Sequence, residues 1–182
     1  LEKGLIAIEN AVDIDPKDHE VHHLMAAILH ALGRIELSII SYRIAISLAP
    51  NASSIQNNLG VALQKLGKME EAKLAYEKEI SLENKSPDAF NNLGTVLREL
   101  GDYRPAEVLF KQAITLRPNF PEAHNNLGTV LDITGRLNDA ADCFIKAISL
   151  RENYVSPYHN LAIVSEKKKD LEGALNCYEK VL

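Results

Sequence analysis

The sequence predicts an all-α array of antiparallel helix pairs, and three observations predict it. The 182 residues repeat on a period of 34. Apolar residues inside each period recur at intervals of three and four, the spacing of one helix face. Glycines, alanines and prolines fall at fixed places in every period, where helices would approach, start and stop.

The period is read from independent residue series. Asn57-Asn58-Leu59-Gly60, Asn91-Asn92-Leu93-Gly94 and Asn125-Asn126-Leu127-Gly128 superpose on a shift of 34, followed by Leu63, Leu97 and Leu131. Ala72, Ala106, Ala140 and Ala174 keep the same spacing, as do Gly33, Gly67, Gly101 and Gly135. So do the aromatics Tyr42, Tyr76, Phe110, Phe144 and Tyr178. Units therefore run over 19–52, 53–86, 87–120 and 121–154, with the second half of an earlier unit in 1–18 and a shortened one in 155–182. Eleven helices follow from this division, and the whole chain is expected to form one array.

Each element has a local cause. In the third unit Phe90, Leu93, Leu97 and Leu100 form a helical stripe that Gly101 breaks; Ala106, Leu109, Phe110, Ala113, Ile114 and Leu116 resume it until Pro118. Pro105 belongs in the first turn of its helix, where a missing amide hydrogen costs nothing, and Pro87 and Pro121 open first helices in the same way. Gly94, Ala106 and Ala113 are expected to let helix axes approach closely.

A helix-turn-helix unit of this length, with Leu-Gly, Ala, aromatic, Ala and a closing Pro, resembles the tetratricopeptide repeat. Some places depart from the family pattern. His22, Gln56 and His124 stand where Phe90 and Tyr158 keep a first-helix aromatic, Glu79 stands where Ala45 and Ala113 stand, and Asn84 and Glu152 replace the closing Pro. The resemblance implies a right-handed superhelical solenoid in which each unit buries its apolar face against its neighbours. It also implies that first helices line a concave groove where ligand peptides lie extended.

Composition narrows the function classes. With 46% hydrophobic and 25% charged residues, 9 Gly, 7 Pro and two Cys, the chain fits no disordered, collagenous or disulfide-framework class. A net charge of -5 argues against a nucleic-acid partner, which needs clustered Lys and Arg in excess. No apolar run approaches the roughly 18 residues of a membrane span, so no membrane insertion is expected. No leader segment is read, and the compartment stays open, the cytoplasm being the favoured one. No Gly-rich phosphate loop or cofactor motif is found, and no cofactor is expected.

The resemblance places Asn57, Asn58, Asn91, Asn92, Thr95, Arg98, Asn125, Asn126, Thr129, His159 and Asn160 on the groove side, as a candidate peptide-binding surface. Mid-helix Asn costs about 0.6 kcal/mol against Ala, so a compensating role is expected. One role is a ladder of amides that donate to and accept from the backbone of an extended peptide. Such a ladder resembles the one in the repeat region of O-linked N-acetylglucosamine transferases, with Asn58, Asn92, Asn126 and Asn160 in the matching places and Leu24 interrupting it. The other role is structural, each amide bonding a neighbouring helix or a water. The basic clamp by which other members hold a carboxylate is absent, since Val61, Thr95 and Thr129 occupy its second place.

The expected function is thus a protein-interaction scaffold without catalysis of its own, with protein or peptide partners. The alternative is the substrate-recruiting arm of a larger O-linked glycosyltransferase. A remote alternative is a zinc hydrolase, because His19-Glu20-Val21-His22-His23 satisfies H-E-x-x-H. Cys143 and Cys177 occupy equivalent places in adjacent second helices, too far apart for a disulfide. Lys167-Lys168-Lys169 reads as a solvated turn where other units carry Gly. Exposed apolar faces around Leu5, Ile8, Leu175 and Tyr178 are expected to favour self-association.

Overall fold

The computed structural model describes residues 2–82 and 85–180. Asn84, read as replacing a closing proline, lies outside them, as do the terminal residues of the expected first and last units. Among the described residues there are eleven α-helices and no strand.

The chain divides into two compact units, 1–85 and 86–182. The first holds α1 (Glu2–Ile14), α2 (His19–Ala31), α3 (Ile35–Leu48), α4 (Ser53–Lys65) and α5 (Met69–Leu82). The second holds α6 (Pro87–Glu99), α7 (Tyr103–Leu116), α8 (Pro121–Ile133), α9 (Leu137–Leu150), α10 (Val155–Lys167) and α11 (Leu171–Glu179). Within each unit a helix packs on its neighbour in sequence, and each first helix also touches the next first helix: α2 with α4, α6 with α8, α8 with α10. Among the described residues no packing inside a unit reaches further than that. Such nearest-neighbour packing defines a helical solenoid of tetratricopeptide type.

Starts and stops follow local chemistry. Asp18 caps α2 through the amides of Glu20 and Val21, and Ser86 caps α6 through that of Ala89. Pro87 and Pro121 sit in the opening positions of α6 and α8, and Pro105 in the first turn of α7. First helices end in a tight turn whose hydrogen bonds run back five residues, from Arg34 to Leu29, Lys68 to Leu63, Asp102 to Leu97, Arg136 to Leu131 and Asp170 to Ser165. The residue before each donor takes positive φ: Gly33, Gly67, Gly101 and Gly135 at 77 to 86°, and Lys169 at 64°. The expected turn at the lysine run is therefore built on the glycine geometry, while Lys167 still belongs to α10 and pairs with Asp132.

The core is made by the repeated aromatics and small residues. Tyr76, Phe110 and Phe144 are fully buried. Gly60, Gly94 and Gly128 make room for these rings, the aromatic ring of the same hairpin being the nearest group to each. His22 is 6% exposed and fills the aromatic place as expected; its Nε2–H donates to the Pro16 carbonyl at 3.0 Å, and His124 donates to the Pro118 carbonyl at 2.9 Å. Glu79 is buried where Ala45 and Ala113 are buried.

Two of the residues expected in exposed end faces are not exposed. Leu5 and Ile8, at 4% and 8% exposure, pack on Leu29 with Val21, Met25 and Ile28 around them. Helix α1 turns the face bearing Leu5, Ile8 and Ala11, spaced by three, onto α2, and leaves Ile6 and Ile14 exposed. Tyr178 is half-buried and donates to Glu166 at 3.1 Å, whereas Leu171 and Leu175 are 73% and 59% exposed.

Candidate functional site

In the second unit the first helices α6, α8 and α10 bring two rows of polar residues together. One row is Asn91, Asn125 and His159; the next residue along each helix, Asn92, Asn126 and Asn160, forms the other. Asn91 and Asn125, expected on the groove surface, are only 7% and 6% exposed. Their amides face the neighbouring helix. Asn126 Nδ2 donates to Asn91 Oδ1 at 3.0 Å, and Asn160 Nδ2 donates to Asn125 Oδ1 at 3.0 Å. Each bond joins residues 35 apart, one repeat plus one place.

The threonines support the rows from below. Thr95 Oγ1 donates to the Asn91 carbonyl and Thr129 Oγ1 to the Asn125 carbonyl, each at 3.0 Å. Thr95 Oγ1 also accepts from Asn126 Nδ2 at 3.4 Å, and Asn91 Nδ2 donates to Asn92 Oδ1 at 3.4 Å. Buried amides are thereby satisfied inside the fold, which removes the penalty of placing them mid-helix. The structural reading of the asparagines accounts for Asn91 and Asn125. Asn92, Asn126 and Asn160 remain half-buried and reachable.

Charges around these rows are neutralised in pairs. Arg117 grips Asp88 with both guanidinium branches, at 3.0 and 2.6 Å, and lies 4.6 Å over the Phe120 ring. Arg151 holds Glu122 at 2.6 Å and lies 5.4 Å over the Tyr154 ring, while Lys167 holds Asp132 at 2.6 Å. Arg98 is half-buried with Glu99 at 3.7 Å. His159 is exposed, its ring 6.2 Å from that of Tyr178. An open cleft of about 420 Å³ lies at this edge of the unit, lined by Asn91 and Asn92 with Asp88, Arg117, Phe120 and Glu122 among its walls. The surface so formed is polar, with its ionic groups matched.

The first unit repeats the motif with one change. Asn58 Nδ2 lies 2.9 Å from His23 Nε2, so a histidine takes the place of the buried asparagine. The contact pairs the amide with one ring nitrogen of the imidazole. Burial first, then His19, pushes the His23 pKa below the ordinary 6.5, with Glu20 pulling the other way. Asn57 is half-buried in the same helix as Asn58. The pairing role of His23 is what sequence reasoning missed, whereas for Asn91 and Asn125 it is the structural role the sequence offered. A signal for it existed: places 23, 57, 91, 125 and 159 carry only His and Asn.

The H-E-x-x-H residues are not drawn together as a metal centre. His22 is committed to Pro16 and His23 to Asn58, and among the described residues no group of three or more His, Cys, Asp or Glu is placed to hold a metal ion. Cys143 and Cys177 are free and half-buried; burial, with Asp142 and Asp139 next, pushes the Cys143 thiol up to about 11, which keeps it protonated and unreactive at neutral pH. Among the described residues no helix is long and apolar enough to cross a membrane.

Comparison with known proteins places this geometry. Tetratricopeptide repeat models match residues 19–52 and 155–182, residues 51–119, and residues 109–141. No curated protein matches the sequence. Among solved structures, PilW, described as a widely conserved type IV pilus biogenesis factor, is 23% identical over 99% of this chain and 84% of its own, with a TM-score of 0.89. YrrB, described as a TPR protein with an unusual peptide-binding site, is 24% identical over 96% of this chain and 90% of its own, with a TM-score of 0.76. MamA from Desulfovibrio magneticus is 20% identical over 90% of this chain and 92% of its own, with a TM-score of 0.82. At these identities the likeness is one of fold. With repeat models matching in both units and the same hairpin recurring along the described residues, the chain belongs to the tetratricopeptide repeat family.

Proposed function

We propose that the chain is a protein-interaction scaffold that holds an extended peptide segment against the second-row asparagines of its first helices. The observation that carries this reading is the half-buried row Asn92, Asn126 and Asn160, of which Asn92 lines an open cleft, flanked by acids and bases already paired with one another. A surface of matched charges selects weakly by side-chain charge, whereas amides bond any peptide backbone. The peptide-binding site of YrrB supports the reading by analogy of fold. No catalytic step forms part of the proposal.

The test is a binding screen of short synthetic peptides against the purified chain, repeated with Asn92→Ala and Asn126→Ala combined. Loss of about tenfold in affinity for the bound peptides, with helicity by circular dichroism unchanged, is the expected result. Unaltered affinity for every bound peptide refutes it.

A further inference from the structure

We infer that the second-row amides read hydrogen-bond donors, so that the partner is an extended chain aligned by its backbone N–H groups and unable to carry proline at the facing positions. This rests on the peptide-groove reading above and adds a polarity to it. A primary amide is ordinarily ambidextrous, with two hydrogens to give and an oxygen to accept. Here the surroundings remove one half of that capacity.

At Asn126 two bonds settle which end faces inward. The Thr95 hydroxyl has one hydrogen, and it goes to the Asn91 carbonyl at 3.0 Å. Thr95 Oγ1 can then only accept, so the group 3.4 Å away on Asn126 must be its NH₂. Asn91 meanwhile directs its own NH₂ at Asn92, leaving Oδ1 as the atom it turns to Asn126 at 3.0 Å. The two hydrogens of Asn126 Nδ2 are thereby taken by two acceptors of the preceding first helix. What remains is Oδ1, which has no hydrogen-bond partner among the described residues.

The same polarity recurs. Asn160 gives Nδ2 to Asn125 Oδ1 at 3.0 Å, and the Thr129 hydroxyl below it is spent on the Asn125 carbonyl. Asn126, with both hydrogens taken, offers only its oxygen, while Asn160 has one of its two hydrogens committed in the same direction. A peptide meets such a rung with N–H, a group that proline and N-methylated residues lack. Thr95 acts as a positioning residue, since it bonds the Asn126 rung and not the ligand.

The probe is a short peptide taken from the bound set of the screen, synthesised with a single N-methyl group moved along its backbone. N-methylation at the amides facing Asn126 and Asn160 is expected to weaken binding about tenfold, and elsewhere to leave it unchanged. Thr95→Val frees an Asn126 hydrogen and lets the amide turn, so the penalty for N-methylation opposite that rung falls while Thr95→Ser retains it. A merely structural threonine would weaken parent and methylated peptides alike. If every N-methylated peptide binds as the parent does while Asn126→Ala still weakens binding, the groove reading stands and the polarity is overturned. If no bound peptide responds to Asn126→Ala, both fall.

Discussion

Gly94 lies so close to Phe110 that a Cβ built on it would stand 2.8 Å from Cε1 of the ring. Gly60 against Tyr76 and Gly128 against Phe144 repeat the approach at 2.6 Å. Gly94→Ala should therefore destabilise the fold, although it improves helix propensity. Overpacking of about 1–3 kcal/mol opposes a propensity gain of about 1 kcal/mol. Denaturant unfolding checks the sign, and Phe110→Leu in the same chain should recover part of the loss, showing that the two residues couple.

Lys169 holds φ at 64°, where the other hairpin turns use glycine. Lys169→Gly should raise stability by about 1 kcal/mol, because the left-handed conformation costs a side-chain-bearing residue about that much. Gly135→Ala should lower it by a similar amount. Urea midpoints of the two variants should move in opposite directions.

Glu107 sits beside Arg136 and Lys111, and the Arg136 hydrogen bond leads in lowering its pKa from 4.5 to about 2. A lowered carboxyl pKa contributes stability that is complete above 4.5 and is lost as the pH falls toward 2. Glu107→Gln should thus cost about 1 kcal/mol at neutral pH, the screened value for a partly exposed network, and nothing near pH 2. Thermal unfolding of both proteins across that range shows whether the curves converge.

His23 is paired with Asn58, and its pKa in the folded chain lies below 6.5. The fold therefore prefers the uncharged form, so this contribution is complete above 6.5 and falls away as the pH drops below it. His23→Asn places at this rung the residue found at Asn91 and Asn125, and it should remove that pH dependence while keeping the Asn58 bond. Side-chain amide signals of Asn58, followed by NMR between pH 7 and 5 in both proteins, test it.

Leu171 and Leu175 leave the last described hairpin with bare aliphatic surface. Replacing both with Glu should lower any concentration-dependent association seen by light scattering. Equal scattering from both proteins removes this face from consideration.

Much of the fold is legible in the sequence because stacking imposes its own spelling. The glycine turns, the opening prolines and the buried aromatics can be placed from the period alone, since each satisfies a demand inside one hairpin. What is not legible depends on neighbours. Asn91 and Asn92 are the same residue type at adjacent places, yet one is buried and the other reachable, because the next first helix covers only the former. His23 fits a metal motif in sequence, while its ring is committed to Asn58 in the fold. Leu5 and Ile8 read as an open end, because sequence periodicity marks an apolar face without saying which neighbour receives it.

Within each unit the amide bond from one first helix to the next connects the same pair of places, 23 with 58, 91 with 126 and 125 with 160. Excising 121–154 would bring Asn160 to Asn91 and Thr95, the partners Asn126 now has, and would remove Gly128 and Phe144 together. Lys167, however, would exchange Asp132 for Arg98, a like charge. Loss or duplication of a whole unit is thus tolerated by the amides and resisted by the ionic fringe, so the charged residues, rather than the asparagines, set how many copies the array can keep in order.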